Sequence, residues 1–101
     1  MADHKAEIAV RDALASLGEL EERWRAAREY LQMDRGRARH EELSALAADP
    51  HLWDDQDRAR QVTTELGRLA NDLEDFDALR RTLDDCAVLA EFAQELSLIH
   101  I

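Results

Sequence analysis

The sequence predicts an all-α fold, an antiparallel helical bundle of two shorter helices on one long helix, incomplete at its C-terminus. Three observations carry this expectation. Apolar residues recur at alternating spacings of three and four through most of the chain, the pattern of a helix with one buried face. Aromatics make up only 5% of the residues and β-branched residues are few, which disfavours sheet. The single proline, Pro50, separates two short helical patterns from one long pattern behind it.

The first helix is expected over residues 3 to about 31. Val10, Ala13, Leu17, Leu20, Trp24, Ala27 and Leu31 form a coiled-coil-like seam. Glu19 with Arg23, and Glu21 with Arg25, sit at (i, i+4) on the side assigned to solvent. Gly18 costs this helix about 1 kcal/mol relative to alanine.

Gln32-Met33-Asp34 interrupts the seam, and Asp34 is the expected N-cap of a second helix over 35–48. His40, Leu43 and Ala47 lie on one face of it, with Leu46 beside them. Pro50 then ends the helix near Ala48, because its ring forces Asp49 out of the helical region. Leu52 and Trp53 are both expected to tuck under this joint. Asp54 or Asp55 caps the next helix, and Asp57 adds favourable negative charge to its first turn.

The long helix is expected over 55–95. Its stripe reads Ala59, Val62, Leu66, Leu69, Leu73, Phe76, Leu79, Leu83, Cys86, Ala90 and Ala93. The repeated step of three at Phe76–Leu79 predicts local overwinding or a bend. Some 40 residues at helical rise would reach about 60 Å. Asp77 with Arg81 at (i, i+4) supports the outer side, and Phe76, Leu83, Val88, Leu89 and Phe92 look short of neighbours.

The 101 residues, 46% of them apolar, fit one domain or part of one. The formal charge of −10 is uneven: residues 49–101 hold five basic and thirteen acidic groups. An acidic surface argues against DNA or other phosphate backbones as general ligands and suits a basic partner. The lone Cys86 excludes an internal disulfide, no stretch is long and apolar enough to cross a membrane, and a cytoplasmic location is expected.

Few residues of the chain form a constellation that chemistry would need. Arg35, Arg37 and Arg39 crowd the first turns of the second helix, where cations oppose the macrodipole, so helix stability does not account for them. They are the candidate contacts to nucleic acid or an acidic surface, against the simpler reading of a solvated face. His40 has no second ligand at metal spacing, and Asp54, Asp55 and Asp57 lack the glycine and closing glutamate of a calcium loop. Cys86, on the stripe beside Asp84 and Asp85, has no activating cation. No phosphate loop or nucleophile with a base is present, so no cofactor and no enzyme activity are expected.

Three stretches carry a resemblance. They are Arg28-Glu29-Tyr30-Leu31-Gln32-Met33-Asp34; Glu41-Glu42-Leu43 followed by Asp49-Pro50-His51-Leu52-Trp53-Asp54-Asp55; and Asp57-Arg58-Ala59-Arg60-Gln61-Val62-Thr63 leading into the long helix. Over residues about 14–95 the chain resembles the N-terminal helical region of the bacterial peptide chain release factor 2 family, the class I factors that read UGA and UAA. Tyr30, Leu31, Asp34, Pro50, Leu52, Trp53, Asp54 and Asp55 are the landmarks. His40, Gln56 and Ala27 depart from the family's usual apolar residue, proline and leucine.

The resemblance implies a cytoplasmic translation-termination factor whose N-terminal domain leans on the ribosomal stalk base. Codon reading and peptide release would belong to further domains in cis, marked by Ser-Pro-Phe and Gly-Gly-Gln, neither of which occurs in these residues. It also implies a further helix packing back on the long one, without which residues 76–93 would favour self-association. A generic helical-hairpin interaction protein is the alternative, but would have no reason to carry the tyrosine–aspartate and proline–tryptophan landmarks together.

Residues 96–101, Leu-Ser-Leu-Ile-His-Ile, change character abruptly. They match the translation of a transposon mosaic-end adapter, CTG TCT CTT ATA CAC ATC, and are expected to be non-native rather than an ordinary apolar tail, leaving 1–95 as a partial domain.

Overall fold

The computed structural model describes residues 2–99. They form three α-helices and one short 3-10 helix, with no strand among the described residues: α1 (Ala2–Tyr30), α2 (Met33–Ala48), the 3-10 turn Pro50–Asp54 and α3 (Gln56–Ile99). The expected all-α fold of two shorter helices and one long helix is therefore what the chain forms. It divides into two compact units, residues 28–77 and residues 2–27 with 78–99.

In the 28–77 unit, α2 lies antiparallel to α3: Gly36 faces the Leu69 and Leu73 side chains, where a Cβ on it would meet their methyl groups at 3.8 and 4.0 Å, while Leu43 near the other end of α2 packs with Ala59 and Val62. Leu43, 1% exposed, is the centre of a cluster with Leu52, Ala59 and Val62, flanked by Leu46, Ala47, Leu66 and Leu69. Burying one leucine this completely contributes about 1.5–3 kcal/mol, and Met33, Leu73 and Phe76 extend the buried set.

One detail of how the helices begin differs from expectation, and one expected alternative is decided. Asp34 is not the N-cap of α2. The helix begins at Met33, because this residue is buried, and Gln32 before it turns the chain in the left-handed region with φ 52° and no capping side-chain bond. Asp34 lies inside the first turn and accepts from the Arg28 guanidinium at 2.8 Å. At the start of α3 the cap is Asp55: its Oδ1 accepts from the Arg58 amide at 3.2 Å, while Asp54 faces the His51 ring at 3.4 Å.

The joint between them is built as a 3-10 turn. Asp49, in extended backbone, accepts from the His51 amide through its side chain at 3.0 Å, and Pro50 opens the turn. Only one of the two apolar residues tucks under. Leu52 is buried, whereas Trp53 is 57% exposed. The tight turn aims consecutive side chains in different directions, and the core has room for one.

In the other unit, residues of α1 and α3 again pair in antiparallel register: Glu21 bonds Arg80, while Val10 and Leu14, earlier in α1, line one cavity with Gln94 and Leu98, later in α3. The inward residues of α1 are Glu7, Val10, Leu14, Leu17, Glu21, Trp24 and Ala27. Leu14 and Glu21 thus stand where Ala13 and Leu20 are expected, and Glu21 is not an outer-face partner for Arg25. A straight α-helix drifts from a strict heptad seam, which turns neighbouring residues inward. The same correction applies to α3. It continues as one α-helix through Phe76, so the inward set runs Leu73, Phe76, Arg80, Leu83, Ala87 and Ala90. Leu79 and Cys86 face outward instead. Phe76 and Leu83 are buried despite their expected shortage of neighbours, but Val88, Leu89 and Phe92 are exposed.

Helix α3 runs four residues beyond the expected end at 95, through Leu96–Ile99. His100 and Ile101, the last two residues of the suspected adapter, lie outside the described residues.

Gln32 supplies a test of this geometry. A non-glycine residue in the left-handed region costs about 1 kcal/mol or more, which glycine avoids at some entropic expense. Gln32→Gly is expected to raise unfolding stability by about 0.5–1 kcal/mol in urea titration. A loss of stability would show that the Gln32 side chain, which accepts from Arg35 at 3.0 Å, outweighs the strain.

Candidate interaction surfaces

The three arginines singled out by sequence share α2 but not one environment. Arg35 reaches back to the Gln32 side-chain oxygen at 3.0 Å. Arg37 donates two hydrogen bonds to the Asp77 carboxylate of α3, one of them at 3.1 Å. Arg39 donates to Glu65 of α3 at 2.8 and 3.3 Å and to Glu42 at 3.1 Å. Asp77, placed by its spacing on an outer side, thus serves the α2–α3 contact.

The contacts of Arg37 and Arg39 account for two of the cations that the helix macrodipole disfavours: within this unit they tie α2 to α3. The Glu65 carboxyl is held below the usual carboxylate range by its hydrogen bonds from Arg39, against a smaller opposing effect of desolvation. The pairs remain about half exposed, so each adds little stability and chiefly fixes the register of the two helices.

A second charged constellation lies in the other unit, where the sequence marks no site. Arg80 of α3 donates to both Glu21 oxygens, at 2.7 and 2.5 Å, and to Asp84 at 2.7 and 3.1 Å. Its guanidinium carbon lies 4.8 Å from the centroid of the Trp24 ring, within cation–π range. With side chains 25% and 21% exposed, Arg80 and Glu21 form the most enclosed ion pair among the described residues. The bidentate bond holds the Glu21 carboxyl below its usual range, again against desolvation. No local signal could have found it, since Glu21 and Arg80 are 59 residues apart.

Among the described residues no group of three or more His, Cys, Asp or Glu is arranged to hold a metal ion. No helix is long and apolar enough to cross a membrane. Beside its charged groups the surface carries large apolar side chains. Tyr30, 87% exposed, and Leu31 stand at the end of α1; Trp53 stands on the 3-10 turn; Val88, Leu89, Phe92 and Leu96 are exposed along α3. The landmark set is thus split. Leu52 is core, Pro50, Asp55 and Asp34 shape the backbone and its ends, and the aromatic landmarks face solvent.

Residues 36–99, covering most of α2, the turn and α3, match the PCRF domain model. The chain is 42% identical over 93 residues to peptide chain release factor 2 of Mycobacterium tuberculosis (strain ATCC 25618 / H37Rv), covering 92% of this chain and 23% of that protein. It is 41% identical over 83 residues to that of Nocardia farcinica, covering 82% of this chain and 22% of that protein. Against that of Rhodococcus jostii it is 40% identical over 84 residues, covering 83% and 23%. The chain spans less than a quarter of the length of these relatives. No solved structure matches it.

The lowered glutamates generate a pH prediction. A carboxyl held lower in the folded chain than in the unfolded one contributes stability above the unfolded value, and that stability is lost as pH falls through the folded value. Thermal melts are therefore expected to hold from neutral pH down to the ordinary glutamate range and to decline below it. Glu21→Gln combined with Glu65→Gln should flatten that acid decline, and an unaltered slope would remove both groups as its source.

Proposed function

The chain belongs to the PCRF domain family, and from that premise we propose that it is the ribosome-docking helical portion of a bacterial translation termination factor of the release factor 2 kind. The observation that carries this reading is the family match through α2, the proline turn and α3, joined to 42% identity that extends back along α1. The fold supports the role by what it offers: helices held in register by charge pairs, and exposed aromatics on the helices and the turn.

In this reading the domain acts in the cytoplasm and leans on the stalk base of the ribosome while UGA or UAA is read elsewhere in the same protein. Hydrolysis of the nascent chain likewise belongs to a Gly-Gly-Gln segment outside these residues. Arg35, Arg37 and Arg39 are the proposed cationic contacts; Arg35 is the most available of them, because its side chain bonds a neutral oxygen. The exposed Val88, Leu89 and Phe92 support a further helix of the whole protein lying on α3, with two copies of the present chain pairing there in its absence. Residues 96–101 are proposed to be adapter-derived, and the reading rests on the part of the domain match that precedes them.

Two outcomes are expected. Residues 1–101 alone, added to ribosomes stalled on UGA, release no peptide above background, and stop-codon-dependent release would refute the division of labour. Arg35→Ser in the full-length factor weakens ribosome association more at low salt than at high salt. Affinity equal to the parent's at both would remove Arg35 from the docking surface.

A further inference from the structure

The 3-10 turn displays a tryptophan that the core does not use. Leu52 is buried beneath the turn, and Trp53 beside it is exposed. The turn that carries it is fixed along its length. Pro50 opens it, the Leu52 amide donates to the Asp49 carbonyl at 3.1 Å, and the Asp55 amide donates to the Leu52 carbonyl at 3.2 Å. The Asp49 side chain also accepts from the His51 amide. An exposed tryptophan on a pre-ordered turn loses little conformational freedom on docking, which is why such residues dominate interface energies.

The charge around Trp53 selects the partner. From residue 40 to residue 57 there is no lysine or arginine, while Glu41, Glu42, Asp49, Asp54, Asp55 and Asp57 are all acidic; Arg58 and Arg60 follow on α3, so the acidic side of Trp53 is the turn itself and the first residues of α3. Asp54 and Asp57 are exposed close to Trp53 in sequence. Carboxylates in this density repel phosphate, so a nucleic-acid backbone is a poor occupant. A cationic side chain is favoured twice over, by the carboxylates and by the face of the indole, the best aromatic acceptor for a cation.

We propose that Trp53, with Asp54 and Asp57, is a docking point for a basic protein surface, one lysine or arginine of which stacks on the indole while its neighbours pair with the aspartates. The proposal rests on the ribosome-docking reading and narrows it to one turn and to a protein rather than an RNA component.

The test uses the 101-residue chain labelled at its single cysteine, the exposed Cys86, and titrated with intact bacterial 70S ribosomes by fluorescence anisotropy. Trp53→Ala is expected to weaken binding about tenfold or more, and Trp53→Phe less, since an aromatic face remains. Asp54→Asn with Asp57→Asn should weaken it further. Asp55 is kept because it caps α3. Circular dichroism melts of Trp53→Ala and Trp53→Phe should lie close to the parent chain's, since Trp53 is 57% exposed and outside the buried cluster.

Parent-like affinity in Trp53→Ala overturns the proposal while leaving the docking reading in place. Tighter binding by the aspartate variant overturns it in favour of a phosphate partner. Absence of binding by the parent chain overturns the docking reading itself, and this proposal with it.

Discussion

The burial of Leu43 against Ala59 and Val62, with Leu52 closing the end, is the contact on which residues 28–77 depend. It requires the chain to reverse direction between Ala48 and Gln56 within a few residues. Pro50 makes that reversal by ending one helix, and Asp49 and Asp55 satisfy amides at the turn and at the start of the next helix. Moving the proline or shortening the turn would shift Leu52 out of reach of Leu43. The turn is therefore part of the core as much as a link between helices, and its tryptophan faces outward because the leucine already occupies the available space.

Charge plays a different part in each unit. Between α2 and α3, Arg37 and Arg39 meet Asp77 and Glu65 at the edge of an apolar contact that already exists, so they select register more than they add stability. In the unit of residues 2–27 and 78–99, Leu83 is the buried apolar residue among those described. There the Arg80–Glu21 pair, flanked by Trp24 and Asp84, is more enclosed, and charge sits closer to the packing itself. Two of the cations, Arg39 and Arg80, are each shared by two carboxylates.

Helical content, the turn at Pro50 and the α2 face of His40, Leu43 and Ala47 were legible because each is fixed by neighbours within one or two turns: apolar spacing, a missing amide, a capping side chain. The inward faces of α1 and α3 were legible only in part. Ala13 and Leu14 are adjacent, as are Leu79 and Arg80, and local spacing fits either member of each pair. The rotation of each helix is set by the partner it packs against. A strict heptad places Leu20, Leu79 and Cys86 inward, while the helices keep their ordinary twist and bring Glu21, Arg80 and Ala87 there.

Local pattern was enough to establish an all-helical chain with one proline-made joint, and its landmark residues pointed to the release factor family that the matching domain model supports. Packing alone settled which of two adjacent apolar residues at the joint is core and which is surface, and which carboxylates the arginines of α2 and α3 hold. The cross-helix pairs join residues 26, 40 and 59 positions apart. No local pattern encodes a distance that exists only after the helices have packed.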